Sequence, residues 1–430
     1  MSSPRAHLVV DLGFGDAGKG HIVDFLVRTT GARWVMRTNG GAQAGHTVVL
    51  DDGTAHTFAQ LGAGSFVAGV RTFLAEPMVV HPTALLVEAE VLAGKGVPDA
   101  LERVSADPRC RVITPYHQAA NRLRELARGA ARHGSCGVGV GETVADSLAH
   151  PDDTISLGTL RSPSVARRML TRTRERKREQ LRRAGALVAH GEDARLFEDP
   201  ALADRWLERA CTVVAAIDLV DPEEPLPMPD GDVVFEGAQG VLLDEALGFH
   251  PFTTWSTCTF ANPDAVLDAM GWAHERRRIG VLRSYHVRHG PGPFPTESAE
   301  LDVLAEPHNP EGAWQGAFRR GYFDLVLARY AIAAVGGLDV LALTHLDAFD
   351  HELPWRIATR YDRAFAAPLQ PSLEQSARMC ASLMGAVPEF ETLAGRSGHD
   401  RTRAFRAAIA ELGPIGLESR GRRTRDLRAL

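Results

Sequence analysis

The sequence predicts an α/β fold, a largely parallel central sheet flanked by helices, and three observations predict it. Short apolar runs alternate along the chain with longer segments of helical period, the pattern of strands joined by crossover helices. The first apolar run leads at once into a glycine-rich loop and then into helical periodicity, a P-loop-like phosphate-binding turn. The chain has 430 residues, 44% of them hydrophobic, with no internal repeat, so it has ample material for a core and no solenoid pattern.

Taken in order, His7–Leu12 reads as a buried strand, and Lys19–Arg28 follows with helical spacing. Trp34–Arg37 is a second short strand that ends at Gly40 and Gly41. Thr83–Leu92 and Gln118–Arg132 read as amphipathic helices. A polar stretch over 149–161 reads as a loop. Pro163–Arg183 is a helix with Ser162 placed to cap it and Pro163 at its first position, and Leu202–Leu219 is another. Asp232–Phe235 is a strand running into Glu236-Gly237-Ala238-Gln239-Gly240. Ile279–Tyr285 and Val340–Leu343 are apolar enough for central strands. In such sheets ligands sit at the carboxyl ends of the strands.

The formal net charge of −6 gives no global pull on nucleic acid or acidic membrane. Two basic stretches, 167–183 and 420–428, are local, and the first reads as a solvated helix face interleaved with Glu. Cys110, Cys136, Cys211, Cys258 and Cys380 are scattered without a CxxC pair, which suggests neither a disulfide framework nor a zinc site. No apolar run approaches the length of a membrane span, and the N-terminus has no signal-like apolar segment, so a reduced, cytoplasmic setting is expected.

Residues 13–20 read Gly-Phe-Gly-Asp-Ala-Gly-Lys-Gly, a G-x-x-x-x-G-K loop between strand and helix. Glycines such as Gly15, Gly18 and Gly20 let backbone N–H groups turn towards phosphate oxygens, and the helix N-terminus adds its partial charge. Of 48 basic residues only Lys19, Lys95 and Lys177 are lysines, and one of them stands at the position that reaches terminal phosphates. Gly20 replaces the hydroxyl residue that ordinarily holds magnesium there. Asp16 lies inside the same loop; a carboxylate facing phosphates needs a metal or a proton, so it is a magnesium ligand, a general base, or both.

Here the motifs acquire a family likeness. Gly15-Asp16-Ala17-Gly18-Lys19-Gly20 resembles the first signature of the adenylosuccinate synthetases, and Ala44-Gly45-His46-Thr47 resembles their second, with Gln43 where Asn is usual. Phe235–Gly240 with Leu242-Leu243-Asp244, then Gly292–Glu297, then Thr344-His345-Leu346-Asp347 are similar to three more, in family order across nearly the whole chain. The resemblance implies one domain over 1–430, with helical insertions at about 82–220 and a base-binding C-terminal segment at about 338–430. It implies a GTP- and Mg2+-dependent ligase, a homodimer acting on small molecules, that phosphorylates a purine carbonyl oxygen and lets an amine displace the phosphate. Asp16 would take the ring proton and, with the Gly45 carbonyl, hold magnesium. Lys19 would hold phosphate, and His46 would bond the transferring phosphoryl group. Gln239, with Gln43, Ser135, Cys136 and Thr254, would face the acceptor. Gly15, Gly18, Gly20, Thr47, Arg319, His345 and Asp347 would hold the nucleotide, with Asp347 reading guanine.

The departures fall on the other substrates. Gly134-Ser135-Cys136-Gly137-Val138 stands where the family holds a 5′-phosphate, and the arginine expected soon after has no counterpart in Ala149–Asp153. The amine-substrate loop reads Ala313-Trp314-Gln315-Gly316-Ala317-Phe318-Arg319-Arg320, with Trp and Gln for threonines and Ala and Phe for arginines. Glu418–Gly421 departs from the guanine-lining segment. Three readings follow: a ligase with altered acceptor or amine, a genuine adenylosuccinate synthetase, and a non-catalytic nucleotide-binding protein. Retention of Asp16, Lys19, His46 and Gln239 favours catalysis.

Overall fold

The computed structural model describes residues 3–187, 191–221, 229–306, 314–365 and 372–430. Ten strands form the central sheet: β1 (Arg5–Asp11), β2 (Trp34–Arg37), β3 (Arg71–Leu74), β4 (Val104–Ala106), β5 (Asp218–Leu219), β6 (Val233–Glu236), β7 (Glu275–Arg283), β8 (Val340–Thr344), β9 (Ile415–Ser419) and β10 (Leu427–Ala429). Their order is β10-β9-β8-β7-β1-β6-β2-β3-β4-β5, and every pairing is parallel except β9 with β10. The first strand of the chain is thus central, buried from Ala6 to Asp11, which explains its apolar run. Alternate residues serve opposite faces: Val9, Val234 and Ile279 join one core, Leu8, Val10, Phe235 and Leu282 the other.

Helices α1 (Lys19–Thr30), α2 (Pro82–Ala93), α3 (Pro115–Arg128), α4 (Val140–Ala149), α5 (Pro163–Arg183) and α6 (Leu202–Ala216) lie in the first half of the chain. Among the described residues no helix is long and apolar enough to cross a membrane, and all five cysteines are free.

The differences from the sequence reading have local causes. Helix α3 starts three residues before the expected Gln118 because Thr114 caps it and His117 completes the capping box, a role ordinarily read from Glu or Gln. Ser162 stands at the expected cap position, but its hydroxyl makes no capping bond. Helix α6 ends at Ala216, and Asp218–Leu219 leaves it to pair with Ser105–Ala106 as an edge strand. Strand β7 begins at Glu275 rather than Ile279, its charged first half hidden from an apolar scan. The stretch 149–161 carries two 3-10 turns, Pro151–Asp153 and Thr159–Arg161. The basic face of α5 is not wholly solvated: Lys177 is buried against Glu142 at 2.9 Å and Asp146 at 3.2 Å.

Candidate active site

The site is built from the carboxyl ends of β1, β2, β6, β7, β8 and β9. Asp11 closes β1, fully buried, and its carboxylate organises the loop that follows. Oδ1 accepts from Gly13 N–H at 2.8 Å, and Oδ2 from Ala17 N–H at 2.9 Å and Lys19 Nζ at 3.0 Å. Two of the loop's N–H groups therefore turn inward to Asp11 rather than to a phosphate, a refinement of the sequence expectation. Among the described residues the N–H groups of Gly15, Asp16, Gly18, Lys19 and Gly20 have no partner, which leaves them for an anion. Lys19 also donates to the Gln239 carbonyl at 2.7 Å, so one ammonium ties β1, α1 and the loop after β6 together.

Parallel register then places three distant residues side by side. Glu236 lies opposite Arg37 across the β6–β2 pair, and both are wholly buried. His46 Nδ1 stands 2.5 Å from Glu236 Oε1, while Oε2 accepts from Ala63 N–H at 2.9 Å. Burial pulls the His46 imidazole below its ordinary value, against the opposing pull of Glu236. Burial pushes the Glu236 carboxyl up, but Arg37 and His46 outweigh it and hold it down. A carboxylate at Nδ1 fixes the ring's orientation and offsets part of what burial costs its protonated form.

These groups open into a cavity of about 870 Å³. Its lining includes Gly15, Asp16, Gly18, Lys19, Gly20, Gln43, Gly45, His46, Thr47, Gln239, His345 and Asp347, twelve residues that the sequence singled out. Three non-glycine residues among those described have positive φ: Asp16 at 57°, Gln239 at 56° and His345 at 55°, and all three line this cavity. Such backbone conformations cost about 1–3 kcal/mol each and persist where the surroundings over-determine them, typically at functional sites. The Gln239 amide is left buried with neither its oxygen nor its nitrogen bonded, as expected of a group awaiting a ligand.

Asp16 is fixed through its main chain by Arg283, which donates to its carbonyl at 2.9 Å and is itself held by Glu306 and Tyr285. The carboxylate Oδ2 stands 3.2 Å from His289 Nε2. Burial pushes the Asp16 carboxyl up, but His289, Lys19 and Arg283 together hold it below the ordinary carboxylate value. At the other end, His345 Nδ1 lies 3.0 Å from Thr344 Oγ1, which donates to the Ala17 carbonyl at 2.7 Å. Burial, then Arg283, pulls His345 down to about 3, while burial raises the Asp347 carboxyl. His21, Ser419, Arg422, Arg423 and Asp426 complete this wall.

Of the remaining expected residues only Gln315 lines the cavity, and Ser135, Cys136, Thr254, Trp314, Arg319 and Arg320 do not. Ser135 Oγ donates to Asn121 Oδ1 at 2.8 Å, and the N–H groups of His133 and Gly134 converge on buried Glu125. Trp314 carries the Arg122 guanidinium 5.5 Å from its ring centroid. Arg319 donates to the carbonyls of Gly290 at 3.1 Å and Gly292 at 3.0 Å and pairs with Glu297, and Arg320 lies 3.4 Å from Asp302. Thr254 N–H donates to the Leu243 carbonyl at 2.7 Å. Ala313 lies outside the described residues. Sequence reasoning missed Asp11, Arg37, Arg283, His289 and the role of Glu236. Glu236 lay within a quoted motif, whereas the others carried no local signal beyond being polar at strand ends.

Comparison with known proteins agrees in every arm. The family model described as adenylosuccinate synthetase matches residues 8–405. An adenylosuccinate synthetase of Alkalilimnicola ehrlichii is 36% identical over 365 residues, 82% of this chain and 79% of the relative. That of Hahella chejuensis is 33% identical over 395 residues, 90% and 87%. The fully ligated adenylosuccinate synthetase of Plasmodium falciparum superposes with a TM-score of 0.77 at 20% identity, covering 100% of both chains. The succinoaminodeoxyadenylate synthetase of cyanophage S-2L, bound to dGMP and dATP as an energy donor, superposes with a TM-score of 0.62 at 19% identity, covering 100% of this chain and 96% of that one.

Proposed function

This chain belongs to the adenylosuccinate synthetase family, and from that premise we propose that it is a specialised member whose acceptor or amine differs from IMP and aspartate. It is a GTP-dependent ligase that forms a C–N bond. The observation that carries the proposal is a contrast within one cavity. Asp16, Lys19, His46 and Gln239 converge on it, whereas Ser135, Cys136, Trp314, Arg319 and Arg320 lie outside its lining.

In the proposed reaction Asp16 takes the ring N–H proton of a purine-type lactam, and the released electron pair increases the density on the carbonyl oxygen. That oxygen attacks the γ-phosphorus of GTP, the bond to the β–γ bridging oxygen breaks, and GDP leaves. Lys19, the unpartnered loop N–H groups and a His46 donor stabilise the charge that develops on the transferring group. The amine then attacks the ring carbon, phosphate departs with the former carbonyl oxygen, and the amine proton passes to solvent. Gln239 faces the acceptor. Asp347, with His345 and the segment from about 338 to 430, reads the nucleotide base; a carboxylate accepts two N–H bonds from guanine.

Membership of the family implies Mg2+ as the metal of this reaction. Among the described residues no group of three or more His, Cys, Asp and Glu could enclose a metal. Asp16 is the carboxylate inside the phosphate loop, and Mg2+ in nucleotide sites ordinarily takes one or two carboxylates with substrate phosphates and water, so the residues fit. Asp16 and the Gly45 carbonyl would hold it, and when bound it neutralises phosphate charge.

Among the described residues the lysine and arginines lining the cavity are Lys19, Arg422 and Arg423. Lys19 belongs to the phosphate loop, and the two arginines lie with His21 and Ser419. Together with the departures at Gly134–Val138 and Ala149–Asp153, this lining supports an unphosphorylated or modified purine-like acceptor. The protein works as a cytoplasmic homodimer in this reading. Steady-state kinetics with GTP and Mg2+, comparing IMP with inosine and aspartate with a panel of amines, test it. A kcat/KM of about 10⁴ M⁻¹s⁻¹ or above for both IMP and aspartate would overturn the altered specificity and restore ordinary adenylosuccinate synthesis.

A further inference from the structure

The side chain that acts as base in the proposed reaction has surprisingly little holding it. The Asp16 main chain is anchored by Arg283, but among the described residues the carboxylate has one close side-chain neighbour, His289, at 3.2 Å from Oδ2. The Asp16 side chain is 25% exposed and its backbone sits at φ 57°, outside any regular element, so among the described residues His289 is the side chain that holds its carboxylate by a polar contact. His289 is well placed to set the carboxylate's orientation. It ends the strand His286–His289 opposite Phe318 in Phe318–Gly321, and its ring packs edge-on against the Phe318 ring at 4.8 Å between centroids. Its Nδ1 is buried with no bonding partner, so the ring's accessible polar atom is Nε2, the one aimed at Asp16. Lys19, which would compete for the carboxylate, is already committed to Asp11 and the Gln239 carbonyl.

We propose that His289 is a positioning residue for the reaction: its Nε2–H holds Asp16 by Oδ2 and turns Oδ1 towards the acceptor's ring N–H. The inference rests on the role of Asp16 in the proposed reaction. Its physical content is orientation. A base must sit within hydrogen-bond reach of the proton it removes, and a misplacement of about 1 Å can cost on the order of 100-fold in rate.

Reach separates this role from mere packing. His289→Gln places an amide N–H near the position of Nε2. His289→Asn keeps a polar side chain that stops short of Asp16, and His289→Leu removes the donor. The test is positional isotope exchange within GTP in the full-length enzyme with Mg2+, using IMP and inosine as acceptor probes, together with kcat and KM for each substrate. Thermal unfolding confirms which variants are folded. The expected result is a loss of about 30-fold or more in exchange and kcat for Leu and Asn, with Gln within about fivefold of the parent and KM for GTP nearly unchanged. If Leu does not fold, the comparison of Asn with Gln carries the same decision. Exchange that is equal in Gln and Asn, or a rise in acceptor KM with kcat unchanged, overturns the inference and leaves the reaction standing. No exchange in the parent enzyme with either acceptor overturns the assignment of a hypoxanthine-type acceptor, and the inference with it.

Discussion

The phosphate-loop wall and the 133–139 and 314–320 loops are held by different means. In the first, buried side chains bond to buried side chains or to buried backbone: Asp11 to Lys19, Glu236 to His46, and the Asn39 amide to the backbone N–H and carbonyl of Ala238 at 2.8 and 3.0 Å. Adjacent parallel strands fix their spacing. In the second, glycines, ring stacking and bonds between side chains and loop backbone do the work, with Glu125 accepting from His133 and Gly134 and Arg319 donating to the Gly290 and Gly292 carbonyls. Gly134, Gly137, Gly139 and Gly316 all have positive φ, and a Cβ on Gly137 would come within 2.8 Å of the Trp314 ring. Chemistry common to a family belongs on the rigid wall, whereas substrate choice can change on loops without disturbing the sheet.

The sharpest way to break that comparison is to remove the cation from the rigid wall. Lys19→Ala should lower kcat by on the order of 100-fold or more, about 3 kcal/mol of transition-state stabilisation. It should also lower Tm, since Asp11 keeps its two N–H donors but loses its counter-charge. A variant with near-normal kcat would sink the phosphate-loop assignment. Next, Asp16→Asn and His46→Ala should fold normally yet lose isotope exchange in GTP, and persistent exchange in Asp16→Asn would show that another group is the base.

A smaller loss tests the buried support. Glu236→Gln removes the charge behind His46 while keeping the shape, and should cost kcat on the order of 10- to 100-fold with KM for GTP unchanged. An unchanged kcat would mean that His46 is oriented by packing alone. The base end should give selectivity: GTP is expected over ATP, because guanine offers the Asp347 carboxylate two N–H donors and adenine offers no such pair. Equal kcat/KM for the two nucleotides would detach Asp347 from base recognition. The smallest effect is expected in the loop region. Gly137→Ala strains a φ of 72° and crowds Trp314, and should raise acceptor or amine KM severalfold while sparing kcat and the exchange reaction. A large fall in kcat there would erase the distinction between wall and loop.

The phosphate loop was legible because its signal is local: a strand, glycines at fixed spacing and a lysine lie within one short segment. Asp16, His46, Gln239 and Asp347 were legible through motif resemblance, each in its own segment. The Ser162 cap failed because a cap residue must also present its hydroxyl, which composition does not reveal. Arg319 illustrates a harder limit. An arginine in a substrate loop reads as an anion ligand, yet here it is engaged by Glu297 and two backbone carbonyls that arrive from another part of the chain.

By itself the sequence determined the alternation of strands and helices, the phosphate loop, the family and the residue types available for phosphoryl transfer. Apolar period, glycine spacing and chemical type are properties of contiguous segments. Only the tertiary structure decided that Glu236 stands beside Arg37 and behind His46, that Asp11 claims two loop N–H groups, and that His289 faces Asp16. The Glu236 and His289 pairings depend on strand order and register, which join residues hundreds of positions apart, and the Asp11 bonds depend on how the loop folds back on the end of its own strand. The same holds for the left-handed backbone at Asp16, Gln239 and His345, which is rare for any non-glycine residue and which the surrounding fold imposes.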